Sequence, residues 1–371
     1  MKLNYKLGEL IRNIDVKNKD LHCNNLKGLS MTKEFRASTS NIVGTDLSKY
    51  KIVAYKQFAC DFMSAIRVHK MPIAFNSEME EILVSPAYAV FEVIDENIIL
   101  PEYLMMWFRR SEFDRYADFR SDAAIRGGYG WNELCETEIK LPSLEEQRKK
   151  VQAYKTITDR IELKKKINDN LLDSVQAIFR SWFVDYDPFD GVCPSNWETG
   201  CVEDIAEFFD SMRKPLSSLE RADMERIYPY YGAVSIVDYV DDYIFDGEYL
   251  LVSEDGIYVV DENGHPLIQH ISGKFWANNH AHILKGKAGF NEDSLYLFLA
   301  NTNMAPIVTG AAQPKINQAN LKSFPITTPD SETMLKFNNI IQPFFDQRLT
   351  NESEIKKLEA LQSLFLTRLV D

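Results

Sequence analysis

The chain has 371 residues, of which 45% are hydrophobic, and a formal net charge of -13 at pH 7. This length allows more than one hydrophobic core, which predicts two domains or a large domain with an accessory one. The five cysteines form neither a CxxC motif nor a Cys/His spacing typical of metal sites, and no apolar run reaches 18 residues. We therefore expect a soluble protein of the reducing cytoplasm that does not contact a membrane.

The acidic excess is concentrated in one segment. Residues 191–330 contain nine Lys and Arg against 20 Asp and Glu, whereas residues 1–142 contain 19 and 20. Lys and Arg that neutralise phosphates supply much of the affinity of DNA-binding proteins. If the chain binds DNA, we expect another subunit to contribute positive charge.

The first 142 residues contain short runs of Val, Ile, Tyr and Phe broken by Gly, Asn and Asp, which predicts strands, tight turns and a few helices. Residues 143–183 then contain no Pro or Gly and place apolar residues at steps of three or four, which predicts one amphipathic helix of about 60 Å. The apolar positions are Val151, Tyr154, Ile157, Ile161, Ile167, Leu171, Val175, Ile178 and Trp182.

A linker with two prolines and one glycine, DYDPFDGVCPSNW (185–197), precedes a second segment rich in short strands, 191–330. Residues 331–370 then repeat the amphipathic pattern less cleanly, and Pro343 is expected to kink or restart that helix. Two long helices with matching apolar seams most simply pack as an antiparallel coiled coil. The alternative is two unrelated helices that each dock on a separate core.

The sequence also repeats itself with a shift of 187 residues. IRGGYGWNELCETEIKLPSLEEQRKK (125–150) aligns with AQPKINQANLKSFPITTPDSETMLKF (312–337). The repeat predicts an α+β protein in which two domains are related by a pseudo-twofold axis and separated by two long antiparallel helices. The predicted segments are 1–142 for the first domain, 143–190 for the central helix and linker, 191–330 for the second domain and 331–371 for the C-terminal helix.

Several stretches together carry a family resemblance. They are YPYYGAVSIVDYVDDYIFDGEYLLVSEDG (228–256), SGKFWANNHAHIL (272–284), TGAAQPKINQANLKSFPITTP (309–329) and residues 141–189, which run from LPSLEEQRKKVQ to FVDYDPF. Over essentially its whole length, the chain resembles the DNA-specificity (S) subunit of a type I restriction-modification system. YKQFACDFMSAIRVHKMPIA (55–74) and EEILVSPAYAVFEV (80–93) resemble a different variety of the same target-recognition domain.

The resemblance implies two target-recognition domains, each of which reads one half of a bipartite, gapped site in double-stranded DNA. It also implies that the helices act as a spacer and dock two methyltransferase subunits, and that a restriction subunit, a translocating nuclease, is a further partner. The chain has no Asn-Pro-Pro-aromatic motif, no Gly-rich S-adenosylmethionine loop and no GxxxxGK[ST] sequence. We therefore expect a non-catalytic chain without a cofactor. The alternatives are a coiled-coil scaffold that binds only proteins, and an enzyme in its own right.

The loop GAAQPKINQ (310–318) has residue types that suit DNA. Gln313 and Asn317 each carry a donor and an acceptor for a base edge, Lys315 suits a phosphate or a guanine, and Gly310 lets the backbone approach closely. The alternative is a buried turn whose amides satisfy backbone groups. In the first domain, the aligned loop contains Arg126, Tyr129 and Trp131.

Further candidates for DNA contact come from the family motif and from exposed basic positions. They are Lys274, Trp276, Asn278, Asn279, His280, Tyr231 and Gly232 in the second domain, and Arg67 and Lys70 in the first. Glu254, Asp255 and Gly256 are interpreted as a solvated turn at a strand end. His280 and His282 lack a third ligand at a suitable spacing, so no metal site is predicted.

Overall fold

The computed structural model describes residues 4–38, 44–63, 70–122, 129–310 and 312–369. The chain divides into two compact units, a first unit of Met1–Lys164 with Ser353–Asp371 and a second unit of Lys165–Glu352. Both boundaries lie inside long helices, so each unit contains one part of each long helix.

The first unit contains short strands, four of which form a central antiparallel sheet. Its strands are β1 (Asn4–Lys6), β2 (Ile11–Ile14), β3 (Lys27–Leu29), β4 (Phe35–Ala37), β5 (Lys51–Val53), β6 (Gln57–Cys60), β7 (Ile73–Phe75), β8 (Ile82–Val84), β9 (Ala89–Val93) and β10 (Glu138–Lys140). Its helices are α1 (Pro101–Phe108), α2 (Ser111–Asp122), α3 (Trp131–Glu136) and the first part of α4 (Leu144–Phe183). The central sheet has the order β2-β9-β6-β7, while β1 pairs with β10, β3 with β4, and β5 with β8.

Aromatic side chains form the centre of this unit. The rings of Phe58 and Phe91 on neighbouring strands are stacked with centroids 4.9 Å apart, and Phe108 of α1 meets Phe58 edge-on at 6.1 Å. All three side chains are fully buried. Offset-stacked and edge-on pairs of this kind add to the free energy gained from burying apolar area.

The second unit has a larger sheet. Its strands are β11 (Glu198–Cys201), β12 (Ala206–Phe208), β13 (Tyr228–Tyr231), β14 (Ile236–Val240), β15 (Phe245–Ser253), β16 (Ile268–Ala277), β17 (Ala281–Gly286) and β18 (Pro325–Thr328). Its helices are α5 (Val202–Ile205), α6 (Ser218–Ala222), α7 (Glu292–Ala300), α8 (Gln318–Lys322) and the first part of α9 (Ser331–Thr367). The sheet order is β12-β17-β15-β16-β13-β14, and β11 pairs with β18.

Strand β15 lies in the middle of this sheet and is buried on both faces. Leu250 and Val252 pack in one hydrophobic cluster, whereas Tyr249 and Leu251 pack in another. Successive side chains of a strand point to opposite faces, so the run YLLV can fill two cores at once.

The two units share one topology, which confirms the prediction made from the repeat. The order β2-β9-β6-β7 of the first unit corresponds to β12-β17-β15-β16 of the second, and every one of these pairs is antiparallel. In both units the first strand pairs with the strand that immediately precedes the long helix. The second unit adds β13 and β14, and β13 runs parallel to β16.

The long helices begin where side chains cap them. Ser143 precedes α4, where its hydroxyl accepts from the Glu146 backbone N–H while the Glu146 carboxylate accepts from the Ser143 N–H. Asp330 precedes α9 and accepts from the N–H groups of Glu332 and Thr333. Both arrangements satisfy backbone donors that a helix leaves unpaired at its N-terminus.

The helices run antiparallel within each unit, as predicted. In the first unit, Tyr154 meets Phe365 with ring centroids 6.3 Å apart, and Thr158, one turn later on α4, accepts from Gln362, about one turn earlier on α9. In the second unit, Asn351 donates to Asn168 at 2.7 Å. This pair is buried, and Asn168 also donates to the Arg348 carbonyl while Asn351 accepts from Gln347, so both amides have polar partners.

Helix α9 does not restart at Pro343, which lies inside one continuous helix of 37 residues. A proline removes one helical hydrogen bond and crowds the preceding turn. Ile341 and Phe345 on either side are buried in the core of the second unit, so tertiary packing holds the helix together here. No helix in the described part of the chain is long and apolar enough to cross a membrane.

Candidate functional site

The loop that follows Val308 is closed by its own backbone. The N–H of Thr309 donates to the Lys315 carbonyl and the N–H of Lys315 donates to the Thr309 carbonyl, both at 2.8 Å. Gly310 has φ +84°, and a Cβ added there would lie 2.3 Å from the Gln313 carbonyl oxygen. Glycine is therefore required for a tight turn within the loop, which differs from the predicted role of close backbone approach to DNA.

The side chains of residues 313 to 317 have different surroundings. Gln313 is exposed, whereas Ile316 is fully buried. Lys315 forms an ion pair with Glu254, with Nζ 2.9 Å from Oε1. Asn317 caps α8, where its Oδ1 accepts from the Asn320 N–H at 2.8 Å. Gln313 is thus the member of this group whose amide faces solvent. Asn317 accepts a hydrogen bond from a backbone N–H, as expected if the loop amides satisfy backbone groups.

A buried charge cluster of Asp210, Arg213, Glu254 and His282 lies beneath the loop. Arg213 donates to Glu254 and to the Ala281 carbonyl, both at 2.7 Å, and approaches the Asp210 carboxylate at 3.3 Å. Asp210 accepts from the Ile283 N–H at 2.9 Å. The cluster therefore joins the start of a short 3-10 helix, Asp210–Met212, to the ends of β15 and β17.

His282 connects this cluster to the loop through both ring nitrogens. Its Nε2 lies 2.8 Å from the Ile316 carbonyl oxygen, which can only accept, and its Nδ1 lies 2.6 Å from Asp210 Oδ2. Burial opposes ionisation of Asp210, but His282, the Ile283 N–H and Arg213 outweigh it, so the pKa of Asp210 is below its usual value. Asp210 is therefore a carboxylate, and His282 links it to the loop backbone at Ile316.

Glu254 is held in the same way. Burial raises the pKa of its carboxyl, but the hydrogen bonds from Arg213 and Lys315 and the charge of His282 lower it by more, so the net shift is downward. The backbone of Glu254 also accepts from the Ile316 N–H at 2.9 Å and donates to the His280 carbonyl at 2.9 Å. The loop at 309–317 and the segment after β15 are thus joined by side-chain and backbone bonds.

Three side chains of this cluster are potential metal ligands. One ligand atom from each of Asp210, Glu254 and His282 lies within 4.8 Å of the others. The surrounding charges argue against a metal ion. Arg213 and Lys315 already supply positive charge to both carboxylates, and both ring nitrogens of His282 already have hydrogen-bond partners. A cation would have to displace a guanidinium and break these hydrogen bonds, so this arrangement does not fit a metal.

The motif KFWANNHAH ends beside the same loop. His280 is half-exposed and lies 2.5 Å from Asp255, and Asn279 is exposed next to it. Asn278 is buried, and its Oδ1 accepts from the His280 N–H at 2.8 Å. Asn279 and His280 therefore lie at the edge of the surface that carries the loop, and Asn278 shapes the turn between β16 and β17.

The remaining candidates of the second unit have structural contacts. Trp276 donates from Nε1 to the Lys214 carbonyl at 2.6 Å, and Lys274 lies over the Tyr243 ring, 4.4 Å from its centroid. Tyr231 is half-buried, and its carbonyl accepts from the Asn278 N–H at 3.0 Å. Gly232 lies in the turn between β13 and β14, where its N–H donates to the Ser235 carbonyl at 2.8 Å.

In the first unit the structure describes three of the five candidates. Arg67 and Arg126 lie outside the described residues, and Lys70 is exposed. Tyr129 belongs to the core, where only 2% of it is exposed, its hydroxyl bonds Thr137 at 2.8 Å, and burial raises its pKa. Trp131 opens α3, is half-buried and packs on Phe91 with centroids 5.6 Å apart. Tyr129 thus contributes to packing, and a DNA contact by Trp131 or Lys70 stays a prediction.

Comparison with known proteins gives a family match for the second half of the chain. The family model described as the type I restriction modification DNA specificity domain matches residues 194–360. This part of the chain is therefore similar to the specificity domain of type I restriction-modification systems. The matched region includes the 309–317 loop, the charge cluster and most of helix α9.

Two type I specificity subunits are similar to this chain over part of their length. A putative type I restriction enzyme specificity subunit of Haemophilus influenzae is 38% identical over 128 residues, which are 34% of this chain and 32% of the relative. A type I restriction enzyme specificity subunit of Methanocaldococcus jannaschii is 23% identical over 303 residues, which are 75% of this chain and 70% of that one. The match to the Haemophilus relative thus spans about a third of its length.

The structural comparison concerns the fold of the chain. The crystal structure of a type I restriction-modification system S subunit from M. genitalium matches with a TM-score of 0.56 and 12% sequence identity, and the match covers 99% of this chain and 96% of that one.

Sequence reasoning missed two parts of this surface. The first is Arg213, which joins both carboxylates of the charge cluster. The scarcity of basic residues in 191–330, nine among 140 positions, was a signal that each could have a specific carboxylate partner. The second is the pair Ile257 and Tyr258, two large residues that follow the turn at Gly256 and are both exposed.

Proposed function

We propose that this chain is the specificity subunit of a type I restriction-modification complex, the subunit that recognises the DNA sequence. Residues 1–142 and 191–330 each read one half of a bipartite, gapped site, and the long helices in 143–190 and 331–371 dock two methyltransferase subunits. The observation that carries this proposal is the shared topology of the two units, because a duplicated reading domain in one chain suits a site with two halves. Two domains that read the same side of a duplex need half-sites about 34 Å, or one helical turn, apart.

The charges at the candidate surface support DNA as the ligand despite the acidic excess. Asp210 and Glu254 are both paired with Arg213, and Glu254 is also paired with Lys315. These two carboxylates therefore present little free negative charge to a phosphate backbone. The excess of acidic residues elsewhere in 191–330 leads us to propose that the methyltransferase subunits supply most phosphate contacts.

We propose further that this chain carries no catalytic step itself. Adenine methylation is assigned to the methyltransferase subunits, and cleavage is assigned to a restriction subunit that joins the same complex. The described residues of the candidate surface are amides, an aromatic, an aliphatic and a set of paired charges, which can position and read a base rather than transfer a methyl group.

The test is reconstitution of the complex. The full chain, alone and with two methyltransferase subunits, is titrated with duplex DNA carrying the motif found by methylome sequencing of an expressing strain. We expect weak binding by the chain alone, and tight, sequence-dependent and salt-sensitive binding by the complex, with adenine methylation.

Two results would contradict the proposal. Tight, specific binding by the isolated chain at physiological salt would show that the acidic excess does not require partner charges. A complex that assembles but binds all sequences alike would favour a coiled-coil scaffold without base readout, the function that the net charge of -13 by itself favours.

A further inference from the structure

A second segment, Glu254–Val260, lies beside the 309–317 loop and is fixed to it. Asp255 forms a backbone bridge with Lys315, and the Ile316 N–H donates to the Glu254 carbonyl at 2.9 Å. The Asp255 side chain is held by His280, 2.5 Å away. The segment therefore begins from a position that is determined by the same contacts as the loop.

The other end of this segment is also anchored. Val259 is fully buried in the core of the second unit, and its carbonyl accepts from the Leu267 N–H at 3.1 Å. Between these anchors, Gly256 has φ +152°, which favours glycine and lets the chain turn outward. Three residues, Gly256 to Tyr258, thus project from a rigid base.

The projection carries large apolar groups into solvent. Ile257 is 82% exposed and Tyr258 is 72% exposed. Single exposed apolar residues are common on protein surfaces, but two adjacent ones on an anchored turn, bridged through Asp255 to the loop that carries Gln313, form a surface typical of a binding site. Because the backbone on both sides is fixed, little conformational entropy is lost when the pair meets a ligand.

We propose that Ile257 and Tyr258 are specificity-determining residues that make apolar contacts with the bases of the DNA half-site read by the second unit. This inference rests on the proposed function. Apolar side chains read the thymine methyl group in the major groove, and they also insert between base steps and unstack them. Glu254 beneath the projection is paired with Arg213 and Lys315, so its carboxylate presents little free negative charge to DNA.

The sequence pattern does not point to these two residues, since it favours a solvated turn at SEDG (253–256). The structure corrects the interpretation of Glu254 and Asp255, whose carboxylates are paired and mostly buried rather than solvated. The anchored turn therefore fixes the position of the two residues that follow it, Ile257 and Tyr258.

The test uses the assembled complex of the full chain with its methyltransferase subunits. Ile257→Ser with Tyr258→Ser is compared with the wild type for affinity, for the methylated motif, and for the fluorescence of 2-aminopurine placed at each position of the second half-site. We expect affinity for the specific site to fall about tenfold or more, with relaxed base preference at one or two positions of that half-site. Tyr258→Phe, which keeps the ring, should retain most of the affinity.

Met79→Ser is the matched control. Met79 is 80% exposed and belongs to the first unit, so this change should leave the second half-site unaltered. Replacing each thymine of the second half-site by uracil separates the two kinds of apolar contact. If a methyl group is read, uracil lowers wild-type affinity and the serine variant is insensitive to it. If a step is unstacked, 2-aminopurine brightens with the wild type and not with the variant.

Three outcomes overturn the inference while distinguishing it from the proposed function. If the wild-type complex binds specifically and the serine variant reads the same site with equal affinity, the function stands and the inference fails. If the serine variant no longer assembles with the methyltransferase subunits while Met79→Ser does, the projection contacts protein instead of DNA. If the wild-type complex itself shows no sequence-dependent binding, the proposed function fails and the inference fails with it.

Discussion

The Lys315 ammonium lies 2.9 Å from Oε1 of Glu254, while the other oxygen of the same carboxylate accepts from Arg213 at 2.7 Å. Glu254 therefore ties the candidate recognition loop to the strand end beneath it. The hydrogen bond and charge of this carboxylate also raise the pKa of Lys315. The sequence analysis interpreted the Lys315 ammonium as a phosphate partner. Within the protein, this ammonium is already neutralised by Glu254.

Lys315→Met should accordingly change the salt dependence of DNA binding only slightly. Loss of one phosphate contact lowers the slope of log K against log salt by about 0.9 units, and we expect much less here because the charge is paired with Glu254. Binding of the assembled complex between roughly 50 and 200 mM salt measures this slope. A decrease near a full unit would mean that Lys315 leaves Glu254 and binds a phosphate in the complex.

Gln313→Ala should relax the choice of base at one position of one half-site. Its amide is exposed at the tip of the loop, and a bidentate amide contact with a base gives about 1–3 kcal/mol of discrimination. Methylome sequencing of a strain carrying the variant shows which position changes. Asn24→Ala, which removes an exposed amide from the first unit, should leave that half-site unchanged. An intact motif with normal activity in the Gln313 variant would mean that the loop has only a structural role.

Asn317 should behave as a helix cap. Asn317→Ala should lower the free energy of unfolding by about 1 kcal/mol, because the Asn320 N–H loses its acceptor. Asn317→Ser retains a capping oxygen and should restore most of that stability while lacking the amide. Comparing the motifs methylated by the two variants separates capping from base readout. If the serine variant is stable and still reads a relaxed site, Asn317 contacts a base in addition to capping α8.

Gly310→Ala should be more destabilising than an alanine at a glycine with open surroundings. A left-handed φ costs an L-residue about 1–2 kcal/mol, and the added Cβ would also overlap the Gln313 carbonyl. Gly191→Ala is the control, since Gly191 has φ +74° and a Cβ added there would meet no atom within 4 Å. Urea unfolding of both variants measures the difference. Equal effects would show that the loop backbone relaxes freely around residue 310.

Asp293 should make the stability of the second unit depend on pH. Burial, followed by the charges of Glu248 and Asp346, raises the pKa of Asp293 to about 7. Because the folded pKa exceeds the unfolded one, this group favours folding below about pH 4 and its contribution is lost as pH rises toward 7. Asp293→Asn should therefore gain stability relative to wild type over that window, by up to about 4 kcal/mol.

Thermal or urea unfolding between about pH 4 and 8 measures this gain. The exposed Asp223→Asn variant is the control and should show no such pH-dependent gain. A constant difference between Asp293→Asn and wild type across the whole range would show that the pKa of Asp293 is the same in the folded and the unfolded protein.

The shared topology of the two units was predictable because it depends on the order of elements along the chain. The shift of 187 residues aligned loops, short strands and long helices, and the helical periodicity predicted the two long helices, Leu144–Phe183 and Ser331–Thr367. One local expectation, that the second helix restarts at Pro343, was wrong. Pro343 remains inside its helix because buried neighbours on both sides hold it there, and a sequence pattern contains no information on how strongly a core resists a proline.

The polar character of the recognition loop was predictable from its residue types. The surroundings of each side chain in the loop were not. Amides, a lysine and a glycine indicated a polar loop, but whether each group faces solvent depends on the strands that pack beneath it. Tertiary structure pairs Lys315 with Glu254, 61 positions earlier in the chain, uses Asn317 as a cap and leaves Gln313 exposed. It also buries Tyr129 in the aligned loop of the first unit and exposes Ile257 and Tyr258 in the second.

The sequence by itself determined the secondary-structure order, the duplication and the family resemblance, because these follow from periodicity, breakers and motifs that are local along the chain. Only the tertiary structure decided which polar groups are free to meet a ligand. The reason is physical: a side chain's charge and exposure depend on partners brought within about 3 Å by folding, as Arg213 is brought to Glu254 and His282 to Asp210 here.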